Sequence, residues 1–333
     1  MTKPPSPAIS VALSVYDGER FLAAAIESIL GQSFSNFEFL ILDDGSRDAS
    51  RAIIEHYAAR DSRIRPILRE NRGLIASLNQ LLHEARAPLI ARMDADDISL
   101  PHRFARQHAF LAEHPDYAVI GCWTEDIDDQ DQPWPIDAPP HPVTHEAFLE
   151  RIRSGGPLMC HPAVMMRRDV ALSVGGYHAA YRHCEDLDLW LRLSSRARLG
   201  SLPEKLIRYR HYADQVSSRH ATQQQIGAAI ALLAWREREA GRPDPTEHLA
   251  ALPPVDQLDS LFGREGTARE VRAKVAHGLL YSREGLRKGG LDLILRHIAD
   301  GGARDGMWRT VLRLLRFGDP LRALRLATAL ATH

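Results

Sequence analysis

Within the first hundred residues, apolar runs long enough for a strand alternate with amphipathic repeats of helical period, and this rhythm restricts the chain to a largely parallel α/β sheet. Ile9 to Val15 is apolar and β-branched, and Tyr16-Asp17-Gly18 turns it into a helix whose face is Phe21, Leu22, Ala25, Ile26, Ile29 and Leu30, closed by Gly31. Phe37 to Leu42 is the next strand; Asp43-Asp44-Gly45-Ser46 leads from it to a helix holding Ile53, Ile54 and Tyr57. Ile64 to Leu68, Leu74 to Ala85 and Pro88 to Met93 repeat the pattern as strand, helix and strand. Helices then cover both faces of the sheet.

In such sheets ligands sit beyond the carboxyl ends of the strands. Two of those ends are acidic here. Asp94-Ala95-Asp96-Asp97 places carboxylates two apart at a strand end, where alternate side chains share a side. Hard divalent cations take carboxylate oxygens, so the cluster suits a clamp for a metal and a diphosphate. The competing reading is that Asp96 or Asp97 caps a helix beginning near Pro101. The pair Asp43 and Asp44 offers acceptors for a nucleobase imide or a ribose hydroxyl, while Ser46 or Asp48 is placed to cap the following helix. Glu185-Asp186 precedes an amphipathic helix and suits a general base, or equally an acidic first turn favoured by the helix dipole. His211 follows the last strand and is a candidate for metal or phosphate, against the plainer reading of a structural histidine. No Gly-x-Gly-x-x-Gly or Walker-type loop occurs.

Further along, Ile120 to Pro142 breaks into Asp, Gln and Pro and predicts a loop excursion or hairpin. Ala163 to Arg167 predicts a strand; Leu187 to Leu193 predicts a helix with Leu187, Trp190, Leu191 and Ser194 turned inward; Leu206 to Arg210 predicts the last strand. After about His220 the pattern is helical throughout, which divides the chain into an α/β domain over 1–220 and a helical region over 221–333. In the last third of that region Arg309, Arg313, Arg316, Arg322 and Arg325 interleave with Trp308, Leu312, Leu314, Leu315, Phe317 and Leu321. That mixture reads as a solvated amphipathic face, or as a surface for anionic lipid or a partner.

A formal net charge of -1 gives no reason to expect nucleic acid as a partner. Cys122, Cys160 and Cys184 lack any C-x-x-C spacing and read as core thiols of a reducing compartment. Residues 1–7 lack the basic and apolar stretches of a signal peptide, and no apolar run approaches roughly 18 residues, so the expectation is a cytoplasmic protein whose membrane contact is peripheral.

Taken in order, several segments resemble glycosyltransferase family 2. They are Ser14 to Leu22, Leu42-Asp43-Asp44-Gly45-Ser46, Glu70-Asn71-Arg72-Gly73-Leu74, Met93 to Asp97, His161-Pro162, Gly175-Gly176-Tyr177, Glu185 to Trp190 and Tyr209 to Ser217. The resemblance, which runs from about Ile9 to Ser217, implies the GT-A fold, a Rossmann-like mixed sheet with flanking helices. It implies that Val15, Tyr16 and Glu19 line the base and ribose, that Asp44 beside Asp43 recognises the base, and that Arg72 approaches the nucleotide. Asp94 is then the ribose or metal-side acid, Asp96 the metal ligand with Asp97 supporting it, and His211 reaches metal or diphosphate. Asp186 is the catalytic base with Glu185 orienting, and the cofactor is Mn2+ or Mg2+. The activity implied is inverting transfer of one sugar from a nucleotide-diphosphate donor, UDP by family habit, to a glycan or lipid-linked acceptor in surface polysaccharide or lipopolysaccharide assembly. Asp17 stands where Asn is frequent, and the Gln-x-x-Arg-Trp pattern of processive members is missing. The alternatives are a catalytically silent nucleotide- or glycan-binding module of the same fold, and a receiver-like domain, for which no later phosphoacceptor and lysine can be placed.

Overall fold

The computed structural model describes residues 6–136, 139–212, 220–280 and 283–332. The chain divides into two compact units, Met1–His178 with Leu189–Tyr212, and Ala179–Asp188 with Ala213–His333.

The first unit follows the alternation read from the sequence: β1 (Ile9–Val15), α1 (Glu19–Leu30), β2 (Phe37–Asp43), α2 (Ser50–Ala58), β3 (Ile64–Leu68), α3 (Leu74–Glu84) and β4 (Leu89–Met93). β1 and β2 are buried almost throughout, which is why their sequences are continuous apolar runs rather than alternating ones. α1 buries Leu22, Ala25, Ile26 and Ile29, spaced as one helical face, against a core that includes Val11, Leu13, Phe39 and Ile41. Each such side chain contributes about 1.5–3 kcal/mol on burial.

The rest of the unit is β5 (Ile98–Ser99), α4 (Arg103–Glu113), β6 (Tyr117–Ile127), α5 (His145–Ser154), β7 (Met165–Arg167), α6 (Arg168–Ser173), α7 (Glu185–Ser194) and β8 (Arg198–Arg210). α7 begins in the second unit and ends in the first. The eight strands form one mixed sheet in the order β3-β2-β1-β4-β7-β6-β8-β5. β1 pairs in parallel with both β2 and β4, whereas β7 is antiparallel to β4 and β6. Leu13 lies opposite Met93 and Val15 opposite Asp43, so this register brings the carboxyl ends of three strands to one edge.

Four expectations are corrected. Residues 120–127 are not loop: β6 continues to Ile127 because Trp123 to Ile127 pair with Lys205 to Arg210 of β8, and Glu125 forms an ion pair across to Arg208. A polar sequence can hold a strand when its partner supplies the ladder and the countercharge. The turn beyond Ile127 does close like a hairpin, with Ile127 bridged to Pro133. The strand expected at Ala163 starts at Met165, since Pro162 lies in a 3₁₀ turn over His161–Ala163. The last strand is longer than expected, Arg198–Arg210. In α7 Leu187 is half-buried, while Leu189 and Leu193 are fully buried beside Trp190 and Leu191.

The second unit is helical: α8 (Ala221–Glu239), α9 (Leu258–Phe262), α10 (Thr267–Leu279), α11 (Leu291–Ala299), α12 (Met307–Arg316) and α13 (Pro320–Thr332), with a helical turn over 283–285 that widens to a π-helix over 286–290. α8 and α11 pack on α10, and α12 packs on α13. Gly227 of α8 admits the Cys184 thiol so closely that a Cβ there would lie 2.3 Å from Sγ. The Tyr181 hydroxyl meets the Thr246 hydroxyl at 2.8 Å in the interior of the same unit. Among the described residues no helix is long and apolar enough to cross a membrane.

Candidate active site

The common edge of β1, β2 and β4 gathers the acids of the first unit. Just past β4, Asp94, Asp96 and Asp97 each present a carboxylate oxygen within 4.8 Å of the others. None of them caps α4, which starts at Arg103 with His102 as its N-cap. Neighbouring groups hold the cluster in place. Arg92, inside β4, is ion-paired with Asp94. The Tyr212 hydroxyl donates to Asp96 Oδ2 at 2.9 Å, and the Arg210 backbone N–H donates to Asp97 Oδ1 at 2.9 Å. The Arg210 guanidinium donates to the Asp96 carbonyl at 2.8 Å and stands 4.3 Å over the Phe21 ring.

So many carboxylates with so few cations form an unfavourable group by themselves. Withdrawal from water, and then the Asp94 charge, push the Asp96 carboxyl up to about 6. Burial, and then the charges of Asp96 and Asp94, push Asp97 well above the usual carboxylate range. Asp97 Oδ2 is buried with no hydrogen-bond partner among the described residues. An orphaned anionic oxygen beside two other carboxylates fits a hard divalent cation, which would neutralise the excess charge and take the unused lone pairs. Asp97 thus offers such an ion a free oxygen beside those of Asp94 and Asp96.

A second feature lies beyond β1, β2 and β3. Tyr16, Gly45, Arg47, Arg51, Arg69 and Asn71 line an open cleft of about 460 Å³. Its floor depends on Asp44. The buried Asp44 carboxylate accepts the Arg72 N–H at 3.0 Å and the Gly73 N–H at 2.8 Å, and pairs with the Arg69 guanidinium at 2.8 Å. Asp43 Oδ1 accepts the Ser46 N–H at 2.9 Å. Directly after these acids Gly45 adopts φ +82, and a Cβ on it would stand 2.7 Å from the Asn71 nitrogen, so only glycine lets the two loops approach.

The first two loops are also stitched together. Asp17 N–H donates to Ser46 Oγ at 3.0 Å, Arg47 N–H to Asp17 Oδ1 at 2.7 Å, Glu19 N–H to Asp48 Oδ2 at 2.8 Å, and Ala49 N–H to Glu19 Oε2 at 2.8 Å. Ser46 and Asp48 thus bind back to the first loop, while Asp48 Oδ1 also accepts the Ser50 N–H at 2.9 Å at the start of α2, whose N-cap residue is Ala49. Asp17 sits at φ 51, a left-handed conformation that Asp tolerates.

The residues singled out in the sequence fall into distinct groups. Tyr16 is exposed on the cleft; Val15 is buried in the core and reaches the edge only through its carbonyl, which accepts the Asp44 N–H at 2.9 Å. Glu19, Asp43 and Asp44 shape loops with their carboxylates, and Arg72 is exposed beside Asn71 but is not itself a lining residue of the cleft. His211 stacks on Trp134 at 4.8 Å and faces Asp126 at 3.6 Å, outside the three-carboxylate group. Glu185 and Asp186 open α7 in the second unit, where Asp186 Oδ1 accepts the Leu187 N–H at 2.8 Å. The segment Ala213 to Ser217 lies outside the described residues. The His161 ring meets the Tyr177 hydroxyl at 2.8 Å, and burial with nearby Arg92 holds it well below its ordinary range, as a neutral ring.

Sequence reasoning missed four supports: Arg69 under Asp44, Arg92 beside Asp94, and Arg210 and Tyr212 beneath Asp96 and Asp97. Only Arg92 carried a signal, as an arginine inside an otherwise apolar strand. Arg69 reaches Asp44 from the loop after the next strand, and Arg210 and Tyr212 reach Asp96 and Asp97 across more than a hundred residues.

With this geometry in view, the comparisons with known proteins are specific. The family model for glycosyl transferase family 2 matches residues 10–175. EpsE of Bacillus subtilis, a glycosyltransferase by name, is 36% identical over 235 residues, covering 69% of this chain and 82% of that protein. The O-antigen biosynthesis glycosyltransferase WbnJ of Escherichia coli is 30% identical over 206 residues, covering 61% of this chain and 79% of that protein. Among solved structures, S. aureus TarS 1-349 in complex with UDP-GlcNAc superposes with a TM-score of 0.56 at 16% identity, covering 95% of this chain and 89% of that one. The mannosyltransferase PcManGT of Pyrobaculum calidifontis, in complex with GDP-Man and Mn2+, gives 0.51 at 16% identity over 98% and 87%. The strand-end acids, the sheet that carries them and these likenesses agree: the chain is a glycosyltransferase of family 2, built on the GT-A fold.

Proposed function

We propose that the protein transfers a single sugar, with inversion, from a UDP-sugar to an acceptor hydroxyl in the assembly of a surface polysaccharide or lipopolysaccharide. The observation that carries the reading is the convergence of Asp94, Asp96 and Asp97 within 4.8 Å at the edge that also holds the Tyr16 cleft. TarS holding UDP-GlcNAc and WbnJ serving O-antigen biosynthesis support the donor and acceptor classes.

In this reading Tyr16 lies against the base, the Asp44-ordered loop of Asn71 to Gly73 borders the nucleotide, and Arg47, Arg51 and Arg69 offset the charge of the diphosphate. Asp94, Asp96 and Asp97 would hold a manganese or magnesium ion, with Arg210 and Tyr212 fixing their orientation. Such an ion supplies Lewis-acid stabilisation to a departing diphosphate. Asp186 accepts the proton of the acceptor hydroxyl, and Glu185 orients it; both assignments rest on their place in the family motif. A direct displacement at the anomeric carbon inverts its configuration.

A thermal-shift panel of nucleotide sugars with and without Mn2+ tests the donor assignment, since a ligand of the folded state raises its stability by mass action. A metal-dependent shift with UDP-sugars is expected. The absence of any shift across the panel would overturn the donor and metal assignments. NMR of the transferred sugar decides inversion, and product formation separates an enzyme from a silent binding module.

A further inference from the structure

The match to the family 2 model ends at residue 175, and α12 and α13, which lie beyond it, carry five exposed large hydrophobic side chains. Among the described residues nine large hydrophobic side chains are exposed, and five of them, Trp308, Leu312, Leu315, Leu321 and Leu324, lie on this helix pair. Trp308, Leu312 and Leu315 follow one another at i, i+4 and i+7 and so share a face of α12. Met307, Thr310, Val311 and Leu314 occupy the neighbouring face, which is buried. α12 is therefore largely apolar on two sides, and packing uses one. On α13 the same holds: Ala323, Leu326 and Leu330 are buried, while Leu321 is 75% and Leu324 64% exposed, which gives those leucines almost no share in the core.

Cations border the unused face. Arg309 and Arg316, one heptad apart on α12, are exposed and have no ion pair among the described residues. Two of the nearby aspartates are taken, Asp319 by Arg322 and Asp292 by Arg325, and Asp305 forms no ion pair with either arginine among the described residues. Residues 301–332 hold six arginines against two aspartates, in a chain whose net charge is -1.

A polyanion alone would not account for tryptophan and leucine on this face, and an apolar protein partner would not account for uncompensated arginines. An anionic lipid surface accounts for both. Leucine side chains and an indole enter the boundary between headgroups and acyl chains, while guanidinium groups meet lipid phosphates. We propose that α12 and α13 form a peripheral membrane-binding surface selective for anionic lipid, lying in the interface rather than spanning it.

The test is co-sedimentation of the full chain with vesicles of phosphatidylcholine containing 30 mol% phosphatidylglycerol, and with pure phosphatidylcholine. Wild type should partition onto the anionic vesicles, less so as salt rises, and weakly onto neutral ones. Leu312→Ser with Leu315→Ser, and separately Arg309→Glu with Arg316→Glu, should each weaken partitioning by about tenfold or more. Both pairs are exposed, so melting temperatures should hold. Trp308→Phe should remove the quenching of tryptophan fluorescence by brominated lipid. Wild type remaining in the supernatant, equal binding to both vesicle types, or variants that sediment like wild type would each overturn the proposal. It also fails if the variants instead convert a dimer to a monomer in light scattering without any effect of vesicles.

Discussion

Asp96→Asn should stabilise the metal-free protein while removing its response to metal. The Asp96 carboxyl is lifted from 3.8 to about 6, first by desolvation and then by the Asp94 charge. A raised carboxyl costs the fold about 3 kcal/mol once it is ionised. The sign follows from linkage: the folded protein holds this proton more tightly than the unfolded chain. Stability from Asp96 is thus full below its unfolded value and is lost as pH rises through about 6. An asparagine escapes that loss. The bond that Tyr212 makes to the ionised carboxylate is already contained in that shift, so it is not subtracted again. The net gain near pH 7.5 is about 3 kcal/mol, a rise of several degrees in melting temperature for a unit of this size. The assay is thermal unfolding in EDTA near pH 7.5 and near pH 4.5, repeated with saturating Mn2+. At the lower pH the gain should shrink towards zero, because wild type is then protonated. With Mn2+ wild type should rise by about 2.7 kcal/mol at a hundredfold excess over Kd, and the variant by much less. A variant that melts below wild type in EDTA near pH 7.5, or gains as much from Mn2+ as wild type, would refute the idea that repulsion among these carboxylates is held in reserve for a cation.

Three further outcomes follow from particular contacts. Asp44→Ala removes the countercharge of Arg69, which keeps its hydrogen bonds to Ser77 and Gln80, and strands two backbone donors, so it should cost about 3 kcal/mol in a urea melt; an unchanged midpoint would mean that Asp44 contributes little to loop order. Gly45→Ala places a Cβ 2.7 Å from the Asn71 nitrogen at φ +82, and should lower stability by more than about 1 kcal/mol and loosen nucleotide binding, both readable in one thermal-shift series. Asp186→Asn should reduce turnover by about 10²- to 10⁴-fold while calorimetric donor affinity stays within about twofold; turnover near wild type would remove it as the base.

The fold was largely legible because its main strands are covered on both faces. Such strands must be nearly continuous apolar runs, and β1, β2 and β4 announce themselves as such without reference to any partner. β6 failed that test over Thr124 to Asp126, since its stability there comes from β8, and pairing partners eighty residues away leave no local pattern. The acids of the site were legible for a similar reason, as polar residues placed directly where an apolar run stops.

Their division of labour was not. Asp44 and Asp96 both follow strands and both read as ligand groups, yet Asp44 is saturated by Arg69 and the backbone of residues 72 and 73, whereas the cluster of Asp96 keeps an oxygen of Asp97 unpaired. By itself the sequence determined the alternation, the parallel sheet and the edge at which chemistry can occur, because these follow from local periodicity and from where apolar runs end. Only the tertiary structure decided which carboxylates are satisfied and which are left for a cation, because a hydrogen bond or an ion pair is a matter of distance between segments that the chain brings together from far apart.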